Sequence, residues 1–210
     1  MIPKTIHYCW FGHNPKNDII KKCIESWKTI YSDYTIQEWN EDNFDIDFCS
    51  YSKNAYAYKK WAFVSDVARI WAVYTHGGIY LDTDVELLQP FKAELLESKG
   101  FFFFQNARTI ASGLGFGMEK DGLLLKVILN KYKELSFNPN HLVPCPVIET
   151  DILCKMFPGY KRNNERQDFD GFIIETSKHY CGFAKHYGLG CWAEGQTAQF
   201  KFKTMETKCI

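Results

Sequence analysis

Apolar residues recur along the chain at two spacings, and the switches between them mark the elements. Residues 2–12, IPKTIHYCWFG, alternate and end at a glycine, which predicts a first buried strand and its loop. Ile20, Cys23, Ile24, Trp27 and Ile30 then fall at helical spacing behind Asn17-Asp18, a pair suited to capping a helix start. Residues 34–37 alternate again, completing a strand-helix-strand unit. Such alternation predicts an α/β sheet flanked by helices, with ligands at the carboxyl ends of its strands. Residues 40–53 are polar and acidic and read as an exposed connection. A helix over about 62–75 is apolar almost all round, and His76-Gly77-Gly78 stops it because glycine accepts the left-handed conformation that ends helices. Ile79-Tyr80-Leu81 follows as a strand. Beyond it, the run 101–105 has strand length, residues 121–135 and 147–157 read as helices, and the charged run 161–170 reads as a solvated loop without chemistry.

Charged residues interrupt this pattern where apolar neighbours predict burial. Asp82 and Asp84 stand two apart at the predicted strand end, so both carboxylates leave one face. Paired carboxylates suit a hard divalent cation, which neutralises the charge developing on a departing diphosphate. In the preceding helix Ser65, Asp66 and Arg69 share one face, and buried charges need partners or a polar ligand. That stripe predicts contact with sugar hydroxyls, with an internal ion pair as the alternative. Residues 112–117, SGLGFG, lack the spacing of a phosphate loop and are expected to close one side of the pocket. Glu149-Thr150-Asp151 read as solvated helix-start residues, with acceptor contact as the alternative. His7 reads as structural.

Ala62, Ser65-Asp66, Arg69, Gly77-Gly78, Tyr80 and Asp82-x-Asp84 together resemble the signature of the family-32 glycosyltransferases, the DXD sugar-binding group. That group includes fungal initiation mannosyltransferases and bacterial capsule enzymes, and the large glucosylating bacterial toxins share its pattern more remotely. The resemblance implies a GT-A type α/β fold with a single Rossmann-like mixed sheet. It implies one catalytic domain over residues 1–210, with a donor half to about 92, an acceptor-side half over 93–193 and a polar tail over 194–210. The implied reaction moves a hexose with retention from a nucleotide-diphospho-sugar, UDP-sugar in preference to GDP-sugar, to a surface-glycan or lipid-linked oligosaccharide acceptor. Manganese or magnesium is the implied cofactor. By resemblance Asp66, Arg69, Asp82, Asp84 and Trp192 are catalytic. Cys9, Trp10, Ala62, Ser65, Asp66, Arg69, Gly78, Tyr80 and Asp82 bind the donor, with Trp10 stacked on the base and the Cys9 backbone beside it. Asp84 and His186 hold the metal, and Trp192 covers the leaving group. Cys191 stands where the family has serine, which removes a hydroxyl there.

With 46% hydrophobic and 17% aromatic residues among 210, the chain can bury a core unaided. A formal charge of zero argues against general nucleic-acid binding. Eight cysteines without a Cys-x-x-Cys pair read as reduced thiols, which points to a cytoplasmic setting. Met1-Ile2-Pro3-Lys4 shows no leader, and no segment approaches the roughly 20 apolar residues of a bilayer span. Attachment to the inner face of the membrane, or to other polysaccharide-synthesis enzymes, would be peripheral. Residues 81–85, LDTDV, also look like the nucleophile motif of haloacid-dehalogenase-type phosphatases, in which Asp82 would attack phosphorus. That family places its motif after the first strand and needs a later acidic pair that this chain lacks. A non-catalytic sugar-binding protein is the third reading, and it leaves the four charged residues of the motif idle.

Overall fold

The computed structural model describes residues 1–189. In chain order the elements are β1 (Thr5–Cys9), α1 (Asp18–Ile30), β2 (Thr35–Trp39), α2 (Ser50–Ala57), α3 (Trp61–His76), β3 (Gly78–Tyr80), β4 (Val85–Leu87), α4 (Ala93–Glu97), β5 (Gly100–Phe103), β6 (Phe116–Met118), α5 (Leu123–Glu134), α6 (Cys145–Met156), β7 (Gln167–Phe169), β8 (Phe172–Glu175), α7 (Ser177–Phe183) and β9 (Ala184–His186). Seven strands form one mixed sheet in the order β2-β1-β3-β6-β5-β8-β7, and β4 pairs with β9 in a separate ribbon. β1 runs parallel to β2 and β3, β6 runs antiparallel to β3 and β5, and β5 runs parallel to β8. The carboxyl ends of β1, β3, β5 and β8 therefore share one edge, where the chain leaves the sheet toward its polar loops.

Both faces of the sheet are covered. Phe101, Phe102, Phe103 and Phe104 are all fully buried, and strand alternation sends Phe102 and Phe104 into one core and Phe101 and Phe103 into the other. α1 buries Ile20, Cys23, Ile24 and Trp27, and its Asn17 cap accepts a hydrogen bond from the Ile20 amide at 3.0 Å. Trp27 Nε1 donates to the Val85 carbonyl at 2.7 Å and so pins β4 beside α1. His7 is buried in β1, with Nε2 2.8 Å from the Gly77 carbonyl and Nδ1 accepting from Trp39 Nε1 at 3.1 Å. Burial pushes its pKa down to about 4, and the neutral ring serves as a strut between β1, β2 and the end of α3.

Outside the site, two stretches depart from the sequence expectation. Residues 40–53 are not a plain exposed connection, because Phe44, Cys49 and Tyr51 are buried and α2 begins at Ser50. Their polar side chains instead hold turns, as where Asp45 Oδ1 accepts from the Asp47 amide at 2.9 Å. The charged run 161–170 ends in β7, antiparallel to β8, with Phe169 packed on Phe157 at a ring separation of 4.7 Å. Its charges fit an edge strand, where outward-facing polar residues discourage further pairing.

Candidate active site

The site grows from the end of α3. The Gly77 amide closes the helix on the Val73 carbonyl at 2.8 Å, and Gly77 and Gly78 take φ values of 67° and 110°. A Cβ on Gly78 would lie 2.6 Å from the Thr5 carbonyl oxygen, so only glycine lets β3 settle against β1 here. This sharp reversal folds β3 back beside α3 and brings the charged face of the helix to the residues after the strand.

Asp82 and Asp84 do not lie on a strand as the spacing predicts. β3 stops at Tyr80, and the two aspartates sit in a turn closed by the Val85 amide donating to the Asp82 carbonyl at 3.0 Å. Their carboxylates converge through that turn, with a third group from the far end of the described chain. β9 pairs with β4 so that His186 lies opposite Val85, and His186 Nε2 is 3.1 Å from Asp84 Oδ1. Ligand atoms of Asp82, Asp84 and His186 all lie within 4.8 Å of one another. Asp84 also accepts the Leu189 amide at 2.9 Å on Oδ2 and the Tyr187 amide at 2.9 Å on its carbonyl. Three bonds thus tie the segment 186–189 to this one aspartate.

The electrostatics of the two aspartates differ. Burial pushes the Asp82 carboxyl up against the pull of the Arg69 charge, whereas burial of Asp84 is outweighed by the His186 hydrogen bond and charge, which hold it below its ordinary value. His186 is raised, since Asp84 overcomes the desolvation of the ring. Two carboxylates and an imidazole form a donor set suited to manganese or magnesium. Their side chains keep 28%, 15% and 29% of their surface exposed for Asp82, Asp84 and His186, which leaves room for further ligands.

Behind this cluster lies the charged stripe of α3. Arg69 donates from Nη2 to Asp66 Oδ1 at 2.7 Å, from Nε to the Ser65 carbonyl at 3.2 Å and from Nη1 to Ser112 Oγ at 3.4 Å. The same Nη1 is 3.6 Å from Asp82 Oδ1, and the guanidinium carbon sits 5.1 Å from the centre of the Tyr80 ring. Tyr80 in turn donates its hydroxyl to Asp82 Oδ1 at 2.8 Å. Asp66 and Arg69 are both buried, and each is the other's nearest charge. Burial raises the Asp66 carboxyl to about 6 although Arg69 opposes it. Ser65 is half-buried, and its hydroxyl donates to the Trp61 carbonyl at 3.1 Å. Ala62 is half-buried in the first turn of α3.

At the end of β1, Cys9 is buried and its thiol is pushed up to about 12 by desolvation. Trp10 follows, half-exposed, with Nε1 donating to the Asn14 carbonyl at 2.7 Å and the Lys16 ammonium 5.5 Å from its ring centre. Cys191 and Trp192 lie outside the described residues. Cys9, Cys23, Cys49, Cys145 and Cys154 carry free thiols, and no helix among the described residues is long and apolar enough to cross a membrane.

Residues 112–117 border the cluster as a short turn followed by β6. A Cβ on Gly113 would lie 2.5 Å from Asp82 Oδ2 and 3.1 Å from Arg69 Nη1. Gly113→Ala is expected to displace both groups while costing about 1–3 kcal/mol of stability, the usual range for overpacking. Manganese titration of this variant should show weakened binding, and unchanged binding would place the loop outside the site.

Sequence reasoning missed Glu149. It is not a solvated helix-start residue: it is fully buried, accepts the Ser112 amide on Oε2 at 3.0 Å, and accepts the Ser112 hydroxyl on Oε1. Thr150 is also buried and accepts the Ile110 amide at 3.1 Å, while exposed Asp151 pairs with Arg162 at 2.8 Å. A readable signal existed. Glu149 falls within the apolar stripe Cys145, Ile148, Ile152, Leu153 of α6, where a carboxylate is out of place.

Residues 17–102 match the family described as "Glycosyltransferase sugar-binding region containing DXD motif", a stretch that holds Ser65, Asp66, Arg69, Asp82 and Asp84. Among solved structures the chain is similar to "PaToxG Glycosyltransferase", at 20% identity over 75% of this chain and 71% of that one, with a TM-score of 0.56. It also aligns, at a TM-score of 0.43 and 14% identity over 84% and 83% of the two chains, with "a glycosyltransferase involved in the glycosylation of the major capsid of PBCV-1". No curated protein matches it. The mixed sheet with its helical flanks is the GT-A arrangement of glycosyltransferases.

Proposed function

We propose that this chain, a glycosyltransferase by the DXD sugar-binding region it carries and by its fold, moves a hexose with retention from a nucleotide-diphospho-sugar to a glycan acceptor with the aid of manganese or magnesium. The observation that carries this reading is the convergence of Asp82, Asp84 and His186 at the carboxyl edge of the sheet, directly in front of the Asp66-Arg69 pair. A divalent cation held there would neutralise the negative charge gathering on the diphosphate as the glycosidic bond breaks.

The chain's own residues divide the donor between them. Trp10 presents a ring at the end of β1 on which a base can stack, with the Cys9 backbone beside it. Ala62 and Ser65 are assigned to the donor by resemblance, and the paired Asp66 and Arg69 are assigned to the hexose hydroxyls. Gly78 and Tyr80 act on Asp82, the one through the reversal after α3 and the other through its hydroxyl. Trp192 is assigned by resemblance to covering the leaving group. UDP-sugar is the favoured donor over GDP-sugar, a surface glycan or lipid-linked oligosaccharide the acceptor, and family 32 with its capsule enzymes the closest reading of the motif. The whole of residues 1–210 is assigned to one catalytic domain, with acceptor contacts over 93–193 and peripheral attachment at the inner membrane face. The phosphatase reading finds less support, because Asp82 follows the third strand and is already hydrogen-bonded by Tyr80.

Incubation with a panel of UDP- and GDP-sugars and manganese, read as nucleotide release, tests the reaction. Failure to bind or turn over any of them would sink the transferase reading. Trp10→Ala should weaken nucleotide affinity by roughly 1–3 kcal/mol, the range for base stacking on an aromatic ring. An unchanged affinity would return Trp10 to a packing role.

A further inference from the structure

Glu149 is a buried carboxylate on α6, outside the stretch that matches the sugar-binding region and without a cation of its own among its hydrogen-bond partners. We propose that Glu149 is a positioning residue of the donor site, orienting the Ser112 hydroxyl so that Arg69, and with it Asp82, is held in place. The inference rests on the sugar-transfer reading above.

A hydroxyl has one proton and two lone pairs, a carboxylate can only accept, and a guanidinium can only donate. Ser112 lies between the last two. With Glu149 ionised, the Ser112 proton goes to Glu149 Oε1, so a lone pair is left facing Arg69 Nη1 at 3.4 Å. That nitrogen divides itself between Ser112 and Asp82 Oδ1 at 3.6 Å, so the rotation of one hydroxyl sets how the guanidinium is shared. Ser112 and Glu149 are both fully buried, and water has no access to substitute for either partner. The next residue, Gly113, is where an added Cβ would strike Asp82, so the Ser112 backbone that Glu149 also grips is the wall against which Asp82 rests.

Burial raises the Glu149 carboxyl to about 7 even though both Ser112 bonds favour ionisation. A well-packed apolar residue in this stripe of α6 would fold more easily. The carboxylate is therefore explained better by what it holds than by what it stabilises.

Glu149→Gln isolates the effect because it keeps size and removes acceptor capacity. The Ser112 amide can only donate, so the glutamine carbonyl must meet it, and the glutamine NH2 then faces the hydroxyl. That NH2 donates to Ser112 Oγ and turns the hydroxyl proton toward Arg69, where it repels. Glu149→Gln and Ser112→Ala should each lower kcat about 10–100-fold, the penalty for slight misplacement of a reacting group, with nucleotide affinity little changed. The double variant should be no slower than the worse single one, since both substitutions break one linkage.

A second measurement needs no turnover. The side-chain Nε–Hε resonance of Arg69 in NMR, identified by its loss in Arg69→Lys, should shift in Glu149→Gln and in Ser112→Ala while the rest of the spectrum stays folded. An unmoved Arg69 resonance in either variant would overturn the proposal, as would additive losses of kcat or a loss that matches the unfolded fraction alone. If the wild-type chain binds no nucleotide-sugar, the transferase reading fails, and the Arg69 resonance still decides whether Glu149 positions it.

Discussion

Asp84→Asn is expected to abolish divalent-dependent nucleotide binding and to lower transfer by about a thousandfold, the effect of losing several kcal/mol of charge stabilisation in the transition state. The carboxylate bridges two demands. Its Oδ1 faces His186 at 3.1 Å and its Oδ2 accepts the Leu189 amide at 2.9 Å, so the neutral isostere retains an acceptor for the amide while losing the charge that attracts a cation. The β4–β9 ribbon should persist, because its ladder hydrogen bonds do not involve the side chain. Melting temperature in chelator should therefore change little, whereas the rise that manganese and UDP give the wild-type protein should vanish. Full activity of Asp84→Asn in chelator would reject a metal role for the cluster.

Replacing Asp66 with asparagine should lower turnover at least tenfold while leaving stability at neutral pH nearly unchanged. Two readings of the Asp66-Arg69 pair compete, and the shifts of its members point opposite ways: against burial, the charges of Asp82, Tyr80 and Asp66 hold the Arg69 guanidinium well above its ordinary value, whereas burial pushes the Asp66 carboxyl up. A pair retained for stability would hold the carboxyl below 3.8, but burial raises it to about 6 despite the arginine 2.7 Å away. The ionised form is thus less favoured in the folded protein than in the unfolded chain, and the stabilisation contributed by the proton is present below pH 3.8 and lost as pH rises through about 6. Asparagine still accepts from Arg69 Nη2, and Asp82 remains at 3.6 Å to balance the guanidinium charge. That compensation is what harms function: Arg69, freed from one carboxylate, draws Asp82 away from His186 and Asp84. Melting curves from pH 4 to 8 and manganese affinity on the same variant decide the matter. Wild-type stability should fall across pH 4–7 by more than that of the variant, and manganese affinity should drop. A loss of roughly 3–5 kcal/mol at pH 7, the usual consequence of stranding a buried charge, with normal turnover by the folded fraction, would make the pair a structural bridge only.

Local pattern was sufficient for much of the scaffold. The 3.6-residue spacing of Ile20, Cys23, Ile24 and Trp27 with the Asn17 cap gave α1, and His76-Gly77-Gly78 gave the stop of α3, because each depends on a few consecutive dihedrals and on which face is apolar. The grouping of Ser65, Asp66 and Arg69 on one face followed from the same helical period. Strand limits and partners did not follow. β3 is only three residues long because its pairing with β1 and β6 ends at Tyr80, so the geometry of Asp82 and Asp84 is set by a turn and not by strand alternation. Nor does any local signal bring His186 to Asp84: β9 reaches β4 from about a hundred residues away. β7 likewise formed inside a run that charge alone describes as solvated, since an edge position on β8 tolerates those charges. Glu149 marks the clearest division. The sequence determined that a carboxylate sits in the apolar stripe of α6, while only the packing of α6 against the 112–114 turn decided that it is buried and bonded to Ser112. The free energy of such a contact belongs to two segments distant in sequence, and neither segment carries the other's position.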